Sequence, residues 1–170
     1  MANTQEKIRD YSRIRYNTNP YRDREVVAIR GDSLYTIIVG DGYTDWSGNS
    51  TDYFNGHITW SNAEARARAF GGHLASINTE EEDIFVWNAF QSFSWIGYSD
   101  SETEENWQWS DGSNSTYENF ANRDTADEDY AAYWDASPGN WHDCFNYGDA
   151  IRGGIAEMPI TSSITFSTTP

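Results

Sequence analysis

Apolar residues in this chain come in short bursts rather than long periodic runs, and the richest burst lies in residues 94–112, SWIGYSDSETEENWQWSDG. Trp95, Ile96, Gly97 and Tyr98 open it, Trp107-Gln108-Trp109 returns before an Asp111-Gly112 turn, and Asp100, Glu102, Glu104 and Glu105 lie between. Two short aromatic strands flanking an acidic loop are predicted. Residues 34–39, LYTIIV, form a strand by their β-branched and aromatic content, ended by Gly40-Asp41-Gly42. A first helix is marked by Ser61 with Glu64 three residues on, a capping box, and by the stop Gly71-Gly72. Its interior AEARARA alternates as a strand would, but alanine is a strong helix former and a poor strand former. Leu74-Ala75-Ser76-Ile77 is a short strand. Thr79 and Glu82 then open a second helix through about Gln91, with Val86, Trp87 and Phe90 on its buried side.

Other segments carry no such period. Residues 1–30 read as an arm, since Ile8, Ile14, Val26 and Val27 are too sparse to cover a core face and Asn17, Asn19 and Pro20 break a helix. Residues 41–57 are turn formers throughout, punctuated by Tyr43, Trp46, Tyr53 and Phe54. After Gly112 periodicity is lost until a strand at 130–134, and NSTYENFANRDTADED must be a long loop held by something other than a core. Pro138-Gly139 is a turn, Trp141 enters another strand, and GGIAEM at 153–158 closes the body. The domain expectation is a basic arm over 1–30, a body over 31–160 and a tail over 161–170, to which Ile164 and Phe166 add one edge strand.

Composition limits what this pattern can mean. At 170 residues the chain suits one domain with an appendage, and its single cysteine, Cys144, excludes an intramolecular disulfide. The first 30 residues hold seven of the eleven Lys and Arg against four acids, a net of about +3, while the rest carries about -19 of the total -16. Such a body repels nucleic acid and anionic membranes. No stretch of 18 apolar residues exists. The N-terminus lacks the apolar core of a secretory signal, so either the chain leaves the cell by another route or the sequence begins after its signal.

The acidic loop reads two ways: a solvated hairpin tip, or a partner for a hard oxygen-seeking cation, since several carboxylates within six residues repel unless a cation stands among them. Catalysis finds no support. Cys144 as a nucleophile needs an activating base and a lowered pKa, and no His-carboxylate spacing supplies one; His57 and His73 have no evident reason to converge on His142. Trp46 and Tyr53, with Tyr43 and Phe54, are the candidates for exposed stacking residues.

The runs Trp60 with AEARARAFGGHLASI, then WIGYSD, WQWSDG, YENF, EDYAAYW, GNWHD and GGIAEM, in that order over residues 33–160, resemble the C-type lectin-like domain, particularly its disulfide-poor bacterial and phage versions. The resemblance implies an α+β fold of two helices, small antiparallel sheets and a long irregular loop region where ligands bind. It implies a structural Ca²⁺ held by Asp100, Glu104, Glu128 and Asp129, and it implies that Trp107, Trp109 and Trp141 belong to the core. The sugar-binding calcium tripeptide of the family is missing, and its Trp-Asn-Asp run reads Trp141-His142-Asp143, an exchange of oxygen for imidazole that Ca²⁺ does not favour. Asn122, Asp124, Asn140, His142 and Asp143 are nevertheless the ligand-binding candidates on that side, with Trp46 and Tyr53 on the other. The function expected is non-enzymatic recognition of a glycan or protein receptor, with the arm docking on a second copy. The arm, the missing signal and the missing disulfides suggest a virion component, such as a tail fibre or capsid decoration, or a surface adhesin. The competing expectation is a structural cement protein that uses the fold as scaffold.

Overall fold

The computed structural model of the chain describes residues 14–16, 25–39, 58–123, 127–134, 139–146, 151 and 153–160. Two helices, α1 (Trp60–Ala69) and α2 (Glu80–Phe90), pack on a mixed sheet that has ten strands among the described residues. These are β1 (Ile14–Tyr16), β2 (Glu25–Arg30), β3 (Ser33–Val39), β4 (His73–Leu74), β5 (Ser94–Ser99), β6 (Gln108–Trp109), β7 (Phe120–Asn122), β8 (Tyr130–Tyr133), β9 (Trp141–Cys144) and β10 (Gly153–Pro159). The order is β1-β2-β3-β10-β5-β8-β9-β7, with β4 on β10 and β6 on β5. β10 is the joint: it runs antiparallel to β3, so that Ile155 faces Ile37, and parallel to β5 through Gly154 beside Trp95.

Period-two alternation along β5 sorts the core into two layers. Trp95 points to the α1 side with Ala63, Ala67, Leu74 and Ala132, while Ile96 and Tyr98 point to the α2 side with Val86, Trp87, Tyr133 and Trp141. Alanines on α1 let it approach closely, and β10 answers with Gly154, where an added Cβ would stand 2.9 Å from the Ala63 Cβ.

Helix α2 starts as its sequence predicts, the Glu82 N–H donating to the Thr79 hydroxyl at 3.2 Å. Helix α1 differs. Its N-cap is Thr59, which accepts from the Asn62 N–H, and Glu64 turns inward to accept from the Leu74 N–H at 2.8 Å and the Ser110 hydroxyl at 3.1 Å. The buried carboxylate binds those donors instead of reaching back to the helix start. The strand expected over 74–77 pairs only at His73 and Leu74.

Residues 25–30, assigned to the arm, continue the sheet as β2. Ala28 is fully buried there, and Ile29 lies opposite Leu34. Pairing to β3 through the Gly31 turn supplied what sparse apolar content could not announce. Loop 113–129 likewise contains β7, which pairs parallel to β9. The aromatic loop and the tail strand at Ile164 and Phe166 lie outside the described residues.

One buried acid ties these parts together. Asp83, 1% exposed, accepts at Oδ1 from the Tyr133 hydroxyl and the Trp141 indole N–H, and at Oδ2 from the Tyr117 hydroxyl and the Asn119 amide. The same Asn119 amide donates to the Gly139 carbonyl at 2.8 Å, and Gly139 holds φ +78°, with no room for a Cβ beside Asp83 Oδ2. Replacing Asp83 by Ala would leave four donors to find new partners. A loss of about 3 kcal/mol or more in urea unfolding is expected, with Asp83→Asn costing less.

Candidate functional site

The candidate site grows from the C-terminal end of β5. The chain turns there because Asp100 accepts from two backbone groups: its carbonyl from the Thr103 N–H at 2.9 Å, its Oδ2 from the Glu105 N–H at 2.8 Å. Glu105 sits at φ +61° to make that contact. The Asp100 N–H donates in turn to the Asp129 carbonyl at 3.2 Å, stitching the acidic loop to the acidic run before β8. On β9, which pairs with β8, Asp143 lies opposite Ala131.

Electrostatics show how closely these acids are gathered. Desolvation first, then the charges of Asp100 and Glu128, push Asp143 up to about 8. Desolvation followed by Asp100 and Asp127 raises Asp129, and the exposed Glu104 is raised by desolvation and by Asp100, Asp129, Asp127 and Glu105. Asp100 and Asp143 are 4% and 5% exposed, and each buries an Oδ1 that has no hydrogen-bond partner among the described residues. A buried carboxylate oxygen left bare is costly, and all the donors here are oxygens, the type Ca²⁺ takes. The residues therefore suit a calcium ion. Among the described residues no three such groups already converge closely enough to hold one, so binding would draw the side chains together.

A sequence model of the Lectin C-type domain matches residues 56–149, more than half of the chain. The chain belongs to the C-type lectin domain family. It is 33% identical to human versican core protein over 108 residues, which are 64% of this chain and only 3% of versican. In structure it is similar to a calcium-independent type II antifreeze protein, with TM-score 0.61 and 22% identity over 78% of this chain and 91% of that one. It is also similar to the cow carbohydrate-recognition domain of CD23, solved with a GlcNAc2Man3 oligosaccharide, with TM-score 0.58 and 21% identity over 79% and 93%. No described helix is long and apolar enough to cross a membrane.

Within this C-type lectin domain, the four expected calcium residues do not stand alone. Asp100, Glu104 and Asp129 share one electrostatic cluster, and Glu128 reaches it through Asp143. Asp143, expected among the sugar-loop residues, lies at the acid cluster, and Asp127, at φ +59°, joins it too. The sequence signal for Asp143 was its place two residues after buried Trp141, on the same face of β9.

His142 leaves β9 on the other face, where its ring lies 6.4 Å from Trp134, which packs against the α1-side core. The strand period thus separates two residues that adjacency in sequence had grouped. Asn140 is half-buried before β9, and the Asn122 backbone pairs with His142. Trp46, Tyr53 and Asp124 lie outside the described residues. Trp109 and Trp141 are core, as expected, whereas Trp107 is only half-buried. Cys144 is buried, and burial with the nearby Glu128 and Asp143 pushes its thiol up to about 12, which leaves no thiolate for nucleophilic chemistry at neutral pH.

A pH dependence follows from Asp143. In the unfolded chain its carboxyl ionises near the ordinary value of about 4. In the fold it keeps its proton up to about 8, so stability present in acid is lost as pH rises through that interval. With a chelator present, Asp143→Asn should flatten the decline between pH 5 and pH 8.5 by roughly 2–4 kcal/mol, read from chemical unfolding at each pH.

Proposed function

We propose that this domain is a recognition module whose acidic loop end binds Ca²⁺, the ion organising loops that contact a glycan or protein ligand. Asp100, Glu104, Glu128 and Asp129 would hold it, with Asp143 as a fifth oxygen donor. The observation that carries the reading is the pair of buried oxygens without a described partner on Asp100 and Asp143, in a cluster where burial and then the charges of Asp100 and Glu128 raise the Asp143 carboxyl. Between Arg68 and Arg152 the sequence offers one cation, Arg123, and its nearest charge is Glu118, at 3.2 Å. Protons or an added cation would relieve this repulsion.

Ligand contact is assigned to the loops, since irregular segments on a rigid scaffold can vary without disturbing a core. Trp46 and Tyr53 offer stacking faces, and Asn122, Asp124, Asn140 and Asp143 offer directional contacts. His142, turned toward Trp134, supports an ion that shapes the loop rather than one that takes sugar hydroxyls directly. Similarity to versican favours an extracellular or surface setting over a virion, and the basic arm is assigned to docking on a second copy. The structural alternative, in which the fold serves only as scaffold, draws support from the similarity to an antifreeze protein described as calcium-independent.

Calcium at 100 times its dissociation constant should stabilise the domain by about 2.7 kcal/mol over chelator, and Asp100→Asn should abolish the difference. Identical melting midpoints with calcium and with chelator would remove the ion from the reading. Glycan-array binding at controlled calcium decides the ligand: binding to isolated sugars removes the scaffold alternative, and loss of binding in Trp46→Ala with an unchanged melt places affinity on the aromatic loop.

A further inference from the structure

Arg123, just past β7, lies in a corner made by two rings. Its Cζ is 5.5 Å from the Trp107 ring centre and 5.5 Å from that of Phe120, and the rings meet edge to face at 63° with centres 4.9 Å apart. Its Nη1 donates to Glu118 Oε2 at 3.2 Å, and Glu118 is fixed from behind by the Tyr98 hydroxyl at 2.8 Å. Two aromatic walls and an anchored carboxylate make a cage for a planar organic cation. A guanidinium demonstrably fits it, because one is already there.

That occupant is weakly held. The Arg123–Glu118 pair is 35% and 39% exposed, a degree at which ion pairs exchange readily with solvent and competitors. The walls are half-buried, so Trp107 and Phe120 keep part of their faces toward solvent. The cage also stands in a strongly acidic body that attracts cations and repels anions.

We propose that the Trp107–Phe120–Glu118 corner is the docking site for an arginine from the N-terminal segment of a second copy, with Arg123 as an internal placeholder that the incoming side chain displaces. The choice of partner rests on charge and residue type. Six of the seven basic residues in positions 1–30 are arginine, the side chain that stacks on rings and pairs with carboxylate, and Arg9, Arg22 and Arg24 lie outside the strands β1 and β2. The inference rests on the proposal that the arm docks on a neighbouring body, and it names the place where it does so. Self-occupancy makes that contact weaker than the cage would otherwise give, because only the fraction with Arg123 withdrawn can receive a partner.

Sedimentation of the full chain at low salt tests this, alongside tryptophan fluorescence of the chain titrated with a synthetic peptide of residues 7–24. Removing the placeholder in Arg123→Ala should tighten both associations about three- to ten-fold, by raising the competent fraction. Glu118→Gln, which keeps an oxygen for the Tyr98 hydroxyl, should weaken them by a similar factor, as should Phe120→Ala, each in a sample shown by melting to be folded. Replacing Arg9, Arg22 and Arg24 by lysine keeps the charge and should still weaken association. If Arg123→Ala fails to tighten binding, or the lysine variant associates as well as the native chain, the cage is not the site and the attraction is diffuse charge. A chain that stays monomeric while the peptide still binds in an Arg123- and Glu118-dependent manner upholds the cage and overturns only arm-driven self-association.

Discussion

The four donors that converge on Asp83 set the conditions for everything around them. A carboxylate 1% exposed would be expelled from an apolar interior, yet here two phenols, an indole and an amide give both oxygens two partners each. Their charge is returned in the partners: burial and the Asp83 charge hold the Tyr133 hydroxyl well above its ordinary range, and Tyr117 is raised likewise. Neither phenol will ionise, so each stays a donor. The donors come from β8, from β9 and from the loop before β7, so a single side chain on α2 fixes three segments that are distant in sequence. In a chain with one cysteine, this network does the tying that covalent cross-links do elsewhere.

A second acid pair repeats the principle in a harsher form. Tyr35 donates to Glu82 and, at 3.2 Å, to Glu157, while the backbone N–H groups of Asn78 and Ser76 occupy the remaining carboxylate oxygens. Burial chiefly, aided by Glu82, raises the Glu157 carboxyl. Among the described residues, by contrast, Asp100 and Asp143 each keep one buried oxygen with no hydrogen-bond partner. This contrast separates acids whose oxygens the fold satisfies from acids it gathers without doing so.

Aromatic content follows the same division. Tyr98 stacks on Trp109 at 4.3 Å and meets Trp141 edge to face, so the rings of β5, β6 and β9 form one continuous α2-side core. At the rim of that core Trp107 and Phe120 are only half-covered, and a guanidinium completes the packing. Trp107, expected in the core from the family resemblance, is therefore half core and half surface.

Local chemistry along the sequence determined the elements themselves: the Thr79–Glu82 start of α2, the strand 34–39 observed as β3, the two strands about the acidic loop paired Tyr98 to Trp109, and the clustering of acids at its tip. These depend on neighbours within a few residues, which a sequence displays directly. Tertiary structure alone decided that Asp83, an acid in the first turn of a helix where the dipole would favour it on the surface, turns inward to partners 34 to 58 residues away. It also decided that residues 25–30 are sheet, because a weakly apolar strand is stabilised by a partner strand and not by its own composition. And it parted His142 from Asp143, since which face of β9 looks toward the acids depends on register with β8, a relation between two strands that neither one encodes by itself.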